Sequence, residues 1–171
     1  MKHILIVTGS PRRGTCDALS AAVAEMIGDG VTVMKIRDYK VSPCFGCDAC
    51  HRNESHTCVQ RDEFPLLLEK LKEADTLILM SPVYYWGVTA QLKCFIDRFY
   101  SFKEWKGKEL KVILNGGAET TDVEYELLRR QFEEMTEFLG IKLTGFLAFE
   151  AYQDRILPVD EEVRKRLSSI L

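Results

Sequence analysis

The 171-residue sequence contains no apolar run close to the roughly 20 residues that a membrane-crossing helix needs. It also lacks a charge excess: 23 Lys and Arg stand against 26 Asp and Glu, a formal net charge of −3. That balance gives no footing for nucleic acid or an anionic membrane surface as the main partner. There is no internal repeat, no low-complexity stretch and no linker, so a single domain over residues 1–171 is expected. Proline is scarce, at 5 residues, and the composition of 46% hydrophobic and 29% charged residues is that of a chain with one buried core. The opening Met1-Lys2-His3, followed by Ile4-Leu5-Ile6-Val7, is too short an apolar stretch for a secretory signal, so a cytoplasmic location is expected. Neither a G-x-G-x-x-G dinucleotide loop nor a Walker A loop is present.

What the sequence does contain is an alternation of strand and helix patterns. His3 to Thr8 is a continuous apolar run, as in a strand buried on both faces. Leu19, Ala22, Val23, Met26 and Ile27 recur at helical spacing, and Gly28-Asp29-Gly30 ends that helix. Val31 to Ile36, Thr76 to Met80, Lys111 to Leu114 and Leu143 to Phe149 read as the other strands. Helical stripes begin at Phe64, Val88, Leu128 and Val163. Five strands alternating with five helices imply an α/β protein, a doubly wound parallel sheet in three layers. Right-handed crossovers give the strand order 2-1-3-4-5, that of flavodoxin-like folds. Ligands in such sheets sit beyond the carboxyl ends of the strands, which directs attention to the loops after Thr8, Ser81 and Leu114.

The first of these loops, Gly9-Ser10-Pro11-Arg12-Arg13-Gly14-Thr15-Cys16, leads into a helix amino terminus. Unpaired N–H groups there suit a phosphate; Ser10 and Thr15 add hydroxyls and Arg12 or Arg13 a charge-assisted fork. The same residues also make an ordinary solvated turn capped by Thr15 or Asp17. Asp17 would repel a phosphate unless it points away. The second loop, Ser81-Pro82-Val83-Tyr84-Tyr85-Trp86-Gly87, places three consecutive aromatics past a buried strand, which suits a flat aromatic ring as ligand or a covered sheet edge. In the third, Asn115, Gly116 and Gly117 allow close backbone approach to a ring, or an ordinary turn.

Six cysteines are many for a reducing compartment, and four of them fall between positions 44 and 58. Cys44, Cys47 and Cys50 are spaced C-x2-C-x2-C, with Cys58 further on. Four thiolates suit a tetrahedral zinc ion or a [4Fe–4S] cluster, and overlapping x2 steps favour three corners of a cubane over paired zinc knuckles. Free thiols without metal are the third possibility. Cys94 reads as a packing residue on a helix, and His51 and His56 as bystanders.

On these residues the chain resembles the NADPH-dependent FMN reductase family of flavodoxin-like proteins. The first loop matches the family pattern at Gly9, Ser10, Pro11, Arg12, Gly14 and Leu19. It departs at Thr15 and Cys16, which stand where the family has Asn-Thr. The run Pro82 to Gly87 and the later Gln91-Leu92-Lys93-Cys94-Phe95-Ile96-Asp97-Arg98 carry a longer match. The cysteine loop, at about residues 43–58, resembles the iron–sulfur flavoprotein branch of that family.

The resemblance implies an FMN-dependent oxidoreductase. FMN would bind at Ser10, Arg12, Gly14, Thr15 and Cys16, at Pro82, Val83, Tyr84, Tyr85, Trp86 and Gly87, and at Asn115, Gly116 and Gly117. It implies a [4Fe–4S] cluster on Cys44, Cys47, Cys50 and Cys58, with NAD(P)H or ferredoxin as reductant and no side chain as acid or base. A cluster-free FMN or quinone reductase and an FMN electron carrier are the alternatives. A homodimer or homotetramer is expected, because Tyr84 to Trp86 with Phe99, Tyr100, Phe102 and Trp105 would leave much apolar surface exposed on a monomer.

Overall fold

A computed structural model describes residues 2–152 and 155–171. The core of the fold is a parallel sheet of β1 (Ile4–Thr8), β2 (Val31–Lys35), β3 (Thr76–Tyr84), β5 (Glu109–Gly116) and β6 (Lys142–Glu150). Its order is β2-β1-β3-β5-β6, and the two-residue strand β4 (Gly87–Val88) pairs antiparallel with the end of β3. Apart from β4, this is the 2-1-3-4-5 order expected from the sequence. Helices α1 (Thr15–Ile27), α2 (Ala49–Arg52), α3 (Phe64–Glu73), α4 (Ala90–Asp97), α5 (Val123–Leu139) and α6 (Glu161–Ser168) complete the fold.

The apolar runs of the central strands have a simple cause: each strand is buried on both faces. Leu5, Val7, Leu77 and Leu79 face α3, α4 and α5, whereas Ile6, Ile78 and Met80 face α1 and α6. Successive side chains of a strand alternate faces, so a strand between two helix layers needs an apolar residue at every position. On the outer strand β6, Arg129 and Arg166 donate to the carbonyls of Phe146 and Ala148 at 3.5 and 2.7 Å. Those bonds blunt an edge that would otherwise offer itself for pairing.

Four features differ from the sequence reading. β3 does not stop at Met80 but runs through Ser81 and Pro82 to Tyr84. β1 ends at Thr8, opposite Met80, so by Pro82 the strand has a neighbour on one side only and its missing N–H is tolerated. Asn115 and Gly116 likewise lie within β5. The cysteine loop contains a one-turn helix, α2. Phe99, Phe102 and Trp105, expected as exposed surface, are buried in an edge-to-face cluster with centroid separations of 4.8–4.9 Å. A short 3-10 segment, Arg98–Ser101, turns them inward after α4 and leaves Tyr100 as the exposed residue of that run.

One buried ion pair holds α3, α4 and the neck of the cysteine loop together. Arg98 Nη1 bonds Asp62 Oδ2, with the two side chains 1% and 7% exposed, and the guanidinium lies 4.0 Å over the Phe64 ring. Asp62 also accepts from the backbone N–H of Ser42 at 2.8 Å and of Phe64 at 3.2 Å, so it bridges both ends of the loop. Burial alone would raise the Asp62 pKa, but the Arg98 and backbone bonds outweigh it and hold the carboxyl below its ordinary value. Asp62→Ala leaves the Arg98 charge unpaired in the core and should cost about 3–5 kcal/mol in denaturant unfolding. Because the folded pKa is depressed, the pair's contribution is complete above pH ~4 and fades as pH falls through the folded value. The stability gap between wild type and Asp62→Asn should therefore shrink below pH ~4.

Candidate functional site

Two strand ends and a helix start are tied together at the carboxyl edge of the sheet. Thr89 is fully buried; its Oγ1 donates to the Gly9 carbonyl at 2.6 Å and accepts from Leu92 N at 3.2 Å, capping α4. Its own N–H donates to Ser81 Oγ at 3.1 Å. The loop after β1, the end of β3 and the start of α4 are thus fixed by one hydroxyl and its neighbours. Gly9 has no room for a side chain, since a Cβ would lie 2.5 Å from Leu92 Cβ.

Beside this knot is a polar cavity of about 230 Å³, lined by Ser10, Arg12, Gly14, Thr15 and Cys16 from the first loop and by Pro82 and Asn115. The structure therefore brings together residues of all three sequence-nominated loops. The first turn of α1 contributes partial positive charge, and Arg12, Arg13 and Arg155 stand around the cavity. Ser10 Oγ donates to Arg12 O at 2.8 Å and shapes the turn. Asp17 points away from the cavity: its carboxylate meets Arg37 at 2.9 Å, Lys35 at 3.0 Å and the Gly14 N–H at 3.2 Å. Burial pushes its pKa up, but the Arg37 and Lys35 bonds outweigh this and hold it below the ordinary value.

Cys16 is 2% exposed and donates its S–H to Asn115 Oδ1 at 3.1 Å, joining α1 to β5. Burial, with Asp17 adding to it, pushes this thiol up to about 12, so it is a neutral linking group. Gly116 faces the other side of the sheet, where a Cβ would come within 2.7 Å of the Tyr125 hydroxyl. Its smallness is accounted for by that packing. Gly117 is exposed, near Tyr152.

The aromatic loop is a tight hairpin turn. Val83 pairs with Val88 and Tyr84 with Gly87, leaving Tyr85 and Trp86 at the tip with φ of 49° and 61°. Two consecutive positive φ values make a type I′ turn, whose usual residues are Asn and Gly. Bulky aromatics there store strain of order 1 kcal/mol or more each. They are also 95% and 60% exposed, their rings edge to face at 5.3 Å. A strained, solvent-facing aromatic pair at the strand-end edge has no packing role within the chain.

The cysteine loop forms a second site. Cys44, Cys47, Cys50 and Cys58 line one cavity of about 270 Å³, walled also by Phe45, Val59 and Tyr100. The Gly46 N–H donates to Cys44 Sγ at 3.4 Å. The Cys50 thiol is pushed up by burial first, then by the charges of Cys58, Asp48 and Cys44 nearby. Among the described residues no three His, Cys, Asp or Glu side chains are drawn together tightly enough to hold a metal ion as they stand. His51 stacks on Tyr100 at 3.9 Å and bonds its carbonyl, and so backs that wall residue without lining the cavity.

Several residues of these sites escaped the sequence reading. Thr89 carried a signal, a threonine just before an apolar helical stripe, which is a common N-cap pattern. Asp62 and Arg98 carried none, because nothing local indicates that residues 36 positions apart will pair. Tyr152, Arg155 and Ile156 close the polar cavity from the loop after β6, in a stretch without any motif.

A doubly wound parallel sheet in the order β2-β1-β3-β5-β6, flanked by helices, defines a flavodoxin-like protein. Residues 1–138 match the NADPH-dependent FMN reductase family, and the chain belongs to it. An iron–sulfur flavoprotein of Archaeoglobus fulgidus is 40% identical over 100 residues, which is 56% of this chain and 44% of that protein. An iron–sulfur flavoprotein of Methanocaldococcus jannaschii is 36% identical over 132 residues, 69% of this chain and 66% of that protein. The chain spans about half the length of the Archaeoglobus relatives it matches. Among solved structures, the Trp repressor binding protein of Bacillus subtilis superposes with a TM-score of 0.73 at 19% identity, covering 99% of this chain and 97% of that one. An FMN-dependent NADH-azoreductase of Bacillus anthracis in complex with FMN gives 0.64 at 16% identity, covering 99% and 96%. These two likenesses establish the fold.

The thiols should separate by reactivity. In chelator-treated native protein at pH 8, iodoacetamide should modify Cys44 and Cys47, which are exposed, well before Cys16. Cys16 should react only after unfolding, as read by peptide mass mapping.

Proposed function

We propose that this chain is an FMN-dependent oxidoreductase that passes electrons from NAD(P)H or ferredoxin to an acceptor through FMN and a [4Fe–4S] cluster. The observation that carries the proposal is the pairing of two cavities: a polar, arginine-bordered one at the first loop and one walled by four cysteines. FMN, when bound, supplies acceptance of an electron pair and release of single electrons, chemistry that belongs to the cofactor.

The chain's own residues hold and shape. Ser10, Arg12, Gly14, Thr15 and the first turn of α1 take the phosphate, with Asp17 drawn aside by Lys35 and Arg37. Pro82 to Gly87 and Asn115 to Gly117 border the ring, and Cys16 with Asn115 fixes the floor between them. The donor set fits the cluster: Cys44, Cys47, Cys50 and Cys58 face one cavity with apolar walls and one N–H bond to sulfur, the kind of contact that tunes such sites. Both sites use loops that leave the carboxyl edge of the sheet. The names of the archaeal relatives agree with this reading.

The second reading is a plain FMN reductase with an empty cysteine loop. It is favoured by the distance that still separates the thiols from a closed ligand set. Association into a homo-oligomer is part of the proposal, supported by the exposed Tyr85 and Trp86 and by Val123 and Leu127 on α5.

Arg12→Ala should weaken FMN binding by about 1.5–3 kcal/mol, the scale of a hydrogen bond to a charged group. An unchanged dissociation constant in a flavin-fluorescence titration would remove Arg12 from the site. Anaerobically prepared wild type should contain iron and sulfide in equal amounts, and Cys47→Ala should lose the broad cluster absorption while FMN binding survives. Zinc, or metal-free thiols after anaerobic reconstitution, would leave the plain reductase standing.

A further inference from the structure

A cavity of about 700 Å³ belongs to neither site above. It is a groove between the segment following α4 and the carboxyl half of α5, with walls of Ile96, Phe99, Phe132, Met135, Phe138 and Leu139. Its volume falls within the range of small-molecule sites, which are mainly apolar with a few placed polar groups. Phe138, at the rim, is 81% exposed, an unusual position for a phenylalanine without a partner.

Three lysines dominate the charged groups of the groove, beside the neutral polar side chains of Gln131, His51 and Tyr100. Lys93, Lys103 and Lys106 line it, against one carboxylate, Asp97, which is already paired with Lys93. Lys103 and Lys106 have no ion pair or hydrogen bond among the described residues, and the protein as a whole carries a charge of −3. Trp105, also in the wall, has an indole N–H with no partner among the described residues. Of the last carbonyls of α5, those of Glu137 and Thr136 already accept from the N–H groups of Gly140 and Ile141. An apolar groove bordered by unpaired cations in an acidic protein is complementary to one kind of small molecule, an apolar body with a negative end. A neutral hydrocarbon would leave the lysines unused, and a cation would be repelled.

We infer that this groove is a binding site for a small apolar carboxylate, an aliphatic or aromatic acid, whose body lies along Phe132, Met135 and Phe138 and whose carboxylate meets Lys103 and Lys106. The site adjoins the cysteine cavity, because Tyr100 lines both. An occupant of the groove therefore shares Tyr100 as a wall with the cysteine cavity. The inference does not depend on any cofactor being bound, so it stands or falls separately from the functional proposal.

The test uses dodecanoate, below its self-aggregation range, with dodecanol and dodecylamine as probes of the same length. Calorimetric titration of the purified protein should show one dodecanoate per chain, bound at least tenfold more tightly than dodecanol, with dodecylamine weaker still. The double variant Lys103→Ala, Lys106→Ala changes only exposed or rim side chains and should bring dodecanoate down to the alcohol's affinity while leaving dodecanol unchanged. Phe138→Ser should weaken acid and alcohol alike. No saturable binding, equal binding of acid and alcohol, or a lysine double variant with wild-type affinity would overturn the inference. So would a dimer that Phe138→Ser dissociates and that binds no dodecanoate in either form, because a second copy would then occupy the groove.

Discussion

Thr89 is a single buried hydroxyl, yet three parts of the candidate flavin site are held in place by it. It binds the Gly9 carbonyl at the end of β1 and caps α4 through Leu92, while its amide reaches Ser81 on β3. Parallel strands end in loops that have no ladder to hold them, so their positions depend on bonds of this kind. Gly9 must approach the start of α4 so closely that no side chain fits between them, and the Thr89 bond is what rewards that approach. The loop after β1, the base of the aromatic hairpin and α4 are consequently linked through one residue. The strain in Tyr85 and Trp86 is borne by a hairpin anchored at its base.

The cysteine loop is organised by a different device. Its four thiols are carried on a segment with little core of its own, a single helical turn and several exposed residues. Order is imposed at the neck, where Asp62 bridges Ser42, Phe64 and the buried Arg98. Arg98 then leads into the turn that buries Phe99 and presents Tyr100 to the thiols and to the apolar groove alike. One ion pair thus couples the base of the cysteine loop to the wall it shares with its neighbour. Buried pairs are weak contributors to net stability but costly to break, which suits a role in fixing one arrangement of a loop.

Much of the architecture was legible because its physics is local. Apolar runs without alternation announced strands buried on two faces, and helical stripes between them left a doubly wound parallel sheet as the consistent arrangement. The three strand-end loops and the cysteine spacing were legible for the same reason: their chemistry is carried by neighbouring residues. The aromatic cluster of Phe99, Phe102 and Trp105 was misjudged, since its residues follow no clean period and only the 3-10 turn after α4 directs them inward.

The sequence by itself determined the strand order, and it nominated the strand-end loops and the four thiols of the candidate sites, because each follows from residue type and spacing. Only the tertiary structure decided that Cys16 is a buried link to Asn115, that Gly116 is small to accommodate Tyr125, and that Asp17 turns from the phosphate loop to Lys35 and Arg37. Asp62 with Arg98, the closure of the polar cavity by Tyr152 and Arg155, and the lysine-rimmed groove against α5 belong to the same group. All of them join residues far apart in the chain, and the energy that selects such contacts, burial of one surface against another, exists only once the sheet and its helices have packed.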